Sequence, residues 1–170
     1  MSDEQLKTDE YWMRTALTAA VGARELNEVP IGACLIDNQG NLLAVAGNRT
    51  RIDCDPTAHA EVIVLREAAR KIGNYRLTET VLYTTIEPCA MCAGALVTAR
   101  VKRLVFGAAD ERFGAVETLF RICDSSSLNH RMEITSGVLR EECQKLMQEF
   151  FRPKRRKTEN GKRKTENADS

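Results

Sequence analysis

Two short stretches, His59-Ala60-Glu61 and, further along, Pro88-Cys89-Ala90-Met91-Cys92, decide how this chain is read. One imidazole and two thiols fill three positions around a tetrahedral zinc ion and leave the fourth for water, as in a catalytic rather than a closed structural centre. Cys89 and Cys92 stand three apart, so on a helix their side chains share a face and both sulfurs reach one ion. His59 and Glu61 would diverge around a helix interior, and both turn toward one ion only where a helix begins. The two pieces therefore demand two helix starts that converge on one point. Such a pair of N-termini adds partial positive charge, which favours cysteine in its thiolate form.

Outward from these pieces the chain alternates between helical and strand patterns. Thr8 to Leu26 carries Trp12, Ala16, Ala19, Ala20 and Ala23 at helical spacing, and Val29-Pro30 ends that helix. Ile31 to Ile36 and Leu42 to Ala46 flank a polar turn, Asp37-Asn38-Gln39-Gly40-Asn41, and read as a β-hairpin. Asp55 or Thr57 then caps a helix that runs through Val62, Leu65 and Ala69 to Lys71 and stops at Gly73. Val81 to Ile86 is a strand by its β-branched and aromatic content, and Pro88 suits the first turn of the helix bearing the cysteines. Leu104-Val105-Phe106 is a strand closed by Gly107, residues 108–129 are loops with room for one short helix, and Met132 to Thr135 is a fifth strand. Val138 to Phe151 is helical again, and Pro153 ends the ordered chain. This order predicts an α/β sandwich of five strands and about five helices, with helices on both sheet faces. Both motif pieces lie where a strand or loop feeds a helix, where ligands bind in open α/β sheets.

Length and composition narrow the setting. The 170 residues suit one globular domain over residues 1–151, followed by a basic tail over residues 152–170. That tail carries a net charge of +5 out of a total of +1, leaving the rest of the chain near −4, so a polyanion would meet the tail first. It also repeats itself, Arg156-Lys157-Thr158-Glu159-Asn160 returning as Arg163-Lys164-Thr165-Glu166-Asn167, and a polar duplication of this kind cannot bury a core. No run of about eighteen apolar residues is present. The start, Met1-Ser2-Asp3-Glu4, is acidic and polar rather than signal-like, so a soluble cytoplasmic protein is expected. Cys34, Cys54, Cys123 and Cys143 show no disulfide framework and read as reduced thiols.

C-x-x-C alone suggests a metal or redox site and H-x-E alone even less, but H-x-E followed by P-C-x-x-C is the signature of zinc-dependent nucleobase deaminases. Zinc lowers the pKa of a water from about 15.7 toward roughly 7. Glu61, beside it, can carry that proton to the ring nitrogen of the base and then carry the water's second proton to the departing amine. The competing reading is a zinc that only holds the fold. It needs a fourth protein donor, for which Cys54 and His130 are the spare residues.

From about Glu10 to Arg152 the chain resembles the bacterial tRNA-specific adenosine deaminases, members of the cytidine deaminase-like superfamily. The similarity lies in Tyr11-Trp12-Met13-Arg14, Glu28-Val29-Pro30-Ile31-Gly32-Ala33, Gly47-Asn48-Arg49 and Asp55-Pro56-Thr57-Ala58-His59-Ala60-Glu61. It continues through Asn74-Tyr75-Arg76-Leu77, Glu87-Pro88-Cys89-Ala90-Met91-Cys92-Ala93-Gly94-Ala95, Val105-Phe106-Gly107-Ala108, Asn129-His130-Arg131 and Phe150-Phe151-Arg152. The resemblance implies a three-layer α/β/α sandwich with a five-stranded mixed sheet. It also implies hydrolysis of adenosine to inosine at the wobble position of a tRNA anticodon stem-loop, by a homodimer with one Zn2+ per subunit held by His59, Cys89 and Cys92. Asn48 is expected to hydrogen-bond the target base, and Asp110 and Asn129 to touch anticodon-loop nucleotides. Amides and carboxylates suit that task, since they read base edges and the ribose hydroxyl.

Each of these residues also has a plainer reading. Asn48 can cap or shape a turn, and Asp110 can be a solvated loop carboxylate. Phe150, Phe151 and Arg152 offer an aromatic and cationic edge for RNA, while paired phenylalanines at a helix end also serve packing. Met91, Leu96, Val97 and Ala99 fit either a dimer face or an internal core. Ala109 and Arg112 depart from the family, which often carries Arg and Lys at these positions around the aspartate. A guanine, cytosine or nucleotide deaminase would share the same zinc site and is the nearest rival function.

Overall fold

Every residue of β1 (Gly32–Ile36) is buried, a pattern that arises when both faces of a strand are covered. Ala33 and Leu35 enter one core with Val64, Leu65, Ala93 and Leu96. Cys34 and Ile36 enter a second core with Met13, Ala16, Val138 and Cys143. The computed structural model describes residues 2–152 and contains α1 (Asp3–Glu25), β2 (Leu42–Gly47), α2 (Ala60–Ile72), β3 (Val81–Ile86), α3 (Ala90–Ala99), β4 (Arg103–Ala108) and β5 (Glu133–Ser136). A last helix, α4, spans residues 140–152. The two cores define the layers: α2 and α3 cover one face of the sheet, α1 and α4 the other.

The five strands lie in the order β2-β1-β3-β4-β5. β1 is antiparallel to both β2 and β3, whereas β3, β4 and β5 run parallel, so the sheet is mixed. Gly47 pairs with Gly32, Ala33 with Thr84, and Thr84 with Phe106. The ends of β2, β3 and β4 therefore arrive together at one edge, where they feed the segments carrying Asn48, Cys89 and Asp110.

The opposite edge is fastened by a buried ion pair. Arg103 donates to both carboxylate oxygens of the fully buried Asp9 at 2.8 and 2.6 Å, and Tyr83 adds a hydrogen bond at 2.9 Å. Burial pushes the Asp9 carboxyl up, but the Arg103 and Tyr83 donors outweigh it and hold it below the usual carboxylate range. One cluster thus ties α1 to β3 and β4.

Several expectations need correction. α1 begins at Asp3 rather than near Thr8, because Ser2 caps it by accepting from the Gln5 N–H at 3.2 Å and Asp3 and Glu4 sit in its first turn. Met13, absent from the expected stripe, is fully buried, while Trp12 is only half-buried. His59 occupies the N-cap position of α2, and Asp55 instead accepts from the Thr57 N–H and hydroxyl in the preceding turn. Pro88 stands one place before the N-cap, Cys89, rather than inside the first turn of α3. Gly107 continues β4 instead of closing it, since a Cβ there would lie 2.3 Å from Cys143 Sγ and 2.7 Å from Thr85 O. It is glycine that lets α4 approach the sheet.

Residues 109–132 hold turns and no helix, so the described residues contain four helices rather than five. Leu96, Val97 and Ala99 are buried within this chain, whereas Met91 is exposed. All six cysteines are free thiols. Among the described residues no helix is long and apolar enough to cross a membrane. The expectations about Pro153 and the repeated basic segment concern residues 153–170, outside those described.

Candidate active site

His59 and Cys89 are the N-cap residues of α2 and α3, both in extended backbone conformation, and neither side chain caps its own helix. An N-cap side chain normally answers the orphan amides of the first turn. Here those side chains are turned to another purpose, and for α2 a neighbour supplies the cap: the Ala60 N–H donates to Asn48 Oδ1 at 2.9 Å. Cys92, in the first turn of α3, completes a cluster with His59 and Cys89.

The spacing of the three donor atoms tests whether zinc fits. Bond lengths of about 2.3 Å to sulfur and about 2.0 Å to nitrogen at tetrahedral angles require roughly 3.8 Å between sulfurs and roughly 3.5 Å from sulfur to nitrogen. The observed separations are 3.7 Å for Cys89 Sγ to Cys92 Sγ, 3.7 Å for Cys89 Sγ to His59 Nδ1 and 3.5 Å for Cys92 Sγ to His59 Nδ1. His59, Cys89 and Cys92 are thus set to hold zinc. The two spare donors lie elsewhere. Cys54 is exposed with its Sγ directed at Arg51 O, and His130 Nε2 sits 2.7 Å from Val101 O. Among the described residues the cluster has three donors and no fourth.

The thiols are unequal. The Cys92 thiol, with help from His59, hydrogen-bonds Cys89 and pulls it down to about 4 against the cost of burial. The same contact and burial push Cys92 up, and the Cys89 contact raises His59. Glu61, in the first turn of α2, is 3% exposed, and its Oε2 is buried with no hydrogen-bond partner. Burial pushes the Glu61 carboxyl up, with the neighbouring His59 pulling the other way. An unpartnered buried carboxylate oxygen is costly to the fold. Glu61 lines a cleft together with His59 and Cys89.

This open cleft of about 1140 Å³ is lined by Asn48, His59, Glu61, Cys89, Asp110 and Phe113, with Phe151 of α4 on its wall. Asn48 is buried and lines the cleft, with Oδ1 engaged by α2. Asp110 Oδ1 accepts from the N–H groups of Arg112 and Phe113 at 2.9 and 3.2 Å, shaping a turn on the cleft rim. Asn129 is not brought to this cleft. It lines a separate cavity of about 550 Å³ with Arg76 and Arg100, and its carbonyl accepts from Arg100 Nη1 at 2.5 Å. Phe150 is buried and packs edge-on against Phe151 at 5.1 Å, so Phe151 rather than Phe150 faces the cleft. Arg152 is exposed at the end of the described chain and does not line the cleft.

Two residues that shape the cleft were not singled out by sequence reasoning. Glu28, fully buried, accepts from Arg51 N–H at 2.7 Å, Ile52 N–H at 2.8 Å and the Thr50 hydroxyl at 3.1 Å, setting the loop between Asn48 and His59. Glu87 does the same for the loop bearing Asp110. The available signal was a glutamate directly before Val29-Pro30 and another directly before Pro88-Cys89, charged residues at the ends of apolar runs.

Comparison with known proteins agrees with this donor set. The family model of the cytidine and deoxycytidylate deaminase zinc-binding region matches residues 6–108. A tRNA-specific adenosine deaminase of Haemophilus influenzae is 48% identical over 147 residues, covering 86% of this chain and 85% of the relative. One from Bacillus subtilis is 44% identical, covering 88% of this chain and 92% of its own. A solved chain from work on A-to-I editing by tRNA:A34 deaminases at the wobble position of transfer RNA superposes with a TM-score of 0.77 at 43% identity, covering 80% of this chain and 98% of that one. Identity of this extent, running through both ligand-bearing helix starts, means that the chain belongs to the cytidine and deoxycytidylate deaminase family, among its tRNA-specific adenosine deaminases.

Proposed function

We propose that this protein hydrolyses adenosine to inosine at the wobble position of a tRNA anticodon loop. The observation that carries the chemistry is the buried, unpartnered Oε2 of Glu61 beside three donors at zinc spacing. The choice of substrate is supported by the names of the relatives and by the polar groups on the cleft wall.

When bound, zinc supplies Lewis acidity and lowers the pKa of a water toward roughly 7. His59, Cys89 and Cys92 hold it. Glu61 accepts the proton of the attacking water as the oxygen bonds to C6 of adenine, and delivers that proton to N1. It then carries the second proton to the exocyclic nitrogen as the C6–N bond breaks, so that adenosine and water give inosine and ammonia. Asn48 fixes the base through its amide NH2, which donates to an acceptor on the purine while its oxygen holds the Ala60 N–H.

On this reading Asp110 contacts a nucleotide flanking the target from the cleft rim, with Phe151 of α4 as an apolar wall. Asn129 and Arg152 belong to the wider RNA footprint rather than to the base pocket, and Phe150 serves it indirectly by backing the Phe151 ring. The reading extends to a catalytic domain over residues 1–151, a basic segment over 152–170 that draws in the polyanion, a homodimer with one zinc per subunit and a cytoplasmic setting. Treating a tRNA pool with zinc-loaded protein and sequencing it, with inosine read as guanosine, tests the proposal. A wobble position left as adenosine overturns it, and rapid ammonia release from free guanine in the same preparation would favour the small-molecule rival.

A further inference from the structure

Glu87, one residue beyond β3, is 3% exposed, yet among the described residues no cation pairs with it. Its carboxylate is answered by a single loop. Oε1 accepts from the N–H groups of Val116, Glu117 and Thr118 at 3.0, 2.7 and 2.9 Å. Oε2 accepts from the Asp110 N–H at 3.1 Å and from the Thr118 hydroxyl. Gly114 makes room for this, since a Cβ there would lie 2.4 Å from Glu87 Oε2 and 2.6 Å from Asp110 O.

The backbone on either side completes a strap. The Ala115 N–H donates to Pro88 O at 2.9 Å, and Gly114 bridges to the metal-ligand residue Cys89. Hydrogen bonds from N–H groups to a carboxylate are about twice as strong as neutral ones. The loop is therefore fastened to the segment that holds the metal, and its turn presents Asp110 and Phe113 to the cleft.

We propose that Glu87 is a positioning residue for substrate recognition. It locks the 110–118 loop to Cys89, so that Asp110 stands at a fixed distance from the reacting base. The proposal rests on the wobble-adenosine reading above. A loop left loose would have to be ordered by the RNA on binding, and that cost appears in KM more than in kcat.

Glu87→Gln tests it selectively. The amide oxygen can keep the three N–H donors on one side, which sets the new NH2 against the Asp110 N–H, while the Thr118 hydroxyl can reverse to accept. The zinc-loaded variant is expected to exchange its Asp110 amide about tenfold faster or more, with the amides of α2 and α3 and the zinc content unchanged, and to raise KM for an anticodon stem-loop about tenfold, by more than kcat falls. In an Asp110→Ala background the same substitution is expected to leave KM almost unmoved, because the residue it acts through is gone. Thr118→Val, which removes only the hydroxyl donor, should move the same readouts in the same direction by roughly threefold.

An unchanged Asp110 exchange rate, an equal KM effect with and without the Asp110 side chain, or a fall in kcat that follows lost zinc and lowered melting temperature would each overturn the proposal. Absence of inosine with the unaltered enzyme would defeat the wobble-adenosine reading. Normal turnover by the unaltered enzyme with any of the preceding outcomes defeats the Glu87 proposal alone.

Discussion

Asn48 has two polar atoms and, on the proposed reading, two duties, one to the fold and one to the base. Its Oδ1 holds the first amide of α2, and the residue lines the cleft. The duties separate by mutation. Asn48→Ala loses both, and is expected to cost about 1 kcal/mol or more in chemical denaturation as the Ala60 N–H is orphaned. Asn48→Asp restores an acceptor for the helix but offers no donor, so it should melt close to the unaltered protein while KM rises roughly tenfold or more. Glu61→Gln should bind zinc normally, checked by metal analysis, and lose about 10²- to 10⁴-fold in kcat, since the amide cannot accept and return a proton. A protein in which zinc served only the fold would show no such loss.

At this scale the ligands were legible because their pattern is local: His59 with Glu61, and Cys89 with Cys92, lie within one turn of each other. The loop carboxylates were not. Glu87 finds its partners 23 to 31 residues downstream, and Glu28 finds its own 22 to 24 residues on. No periodicity or spacing connects an acceptor to amides so far along the chain. Asn129 shows the converse, since suitable side-chain chemistry gave no sign that it would line a different cavity from Asp110.

Among the elements, strands were easier to read than helix ends. β1 to β5 all appear within a residue or two of their expected places, because their alternation or apolar runs reflect burial directly. α2 was misjudged at its start because Asp55 and Thr57 carry ordinary capping chemistry, and the chain uses it for a turn instead, leaving the cap position to a metal ligand. Gly107 misled in a different way. It reads as a strand terminator, but its purpose is clearance between β4 and α4. Gly107→Ala is expected to lower stability by about 1 to 3 kcal/mol in urea unfolding. Combining it with Cys143→Ala should recover only part of that, because the clash with Thr85 O stays.

For the molecule as a whole, the mixed sheet separates fastening from chemistry. Asp9 and Arg103 hold the end of the sheet where β4 begins, and the cleft opens where β4 ends. Because the folded Asp9 carboxyl lies below its unfolded value of about 3.9, its contribution to stability is complete above that pH and is lost as pH falls through the folded value. Acid unfolding followed by circular dichroism should show this loss, and Asp9→Asn should flatten it while lowering stability at neutral pH, since the mostly buried Arg103 is then left without its counter-charge. A transition no shallower in Asp9→Asn would remove Asp9 from the account.

The separation of the two ends also offers a practical handle. Lys102 and Glu79 form an exposed pair at 2.6 Å just before β4 begins. Ala108 lies at the far end of that strand, about 20 Å from Lys102 at the rise of an extended chain. A dye or solid support coupled through Lys102 would leave the cleft mouth facing bulk solution, so a tethered preparation could be offered long nucleic acid without the surface getting in the way.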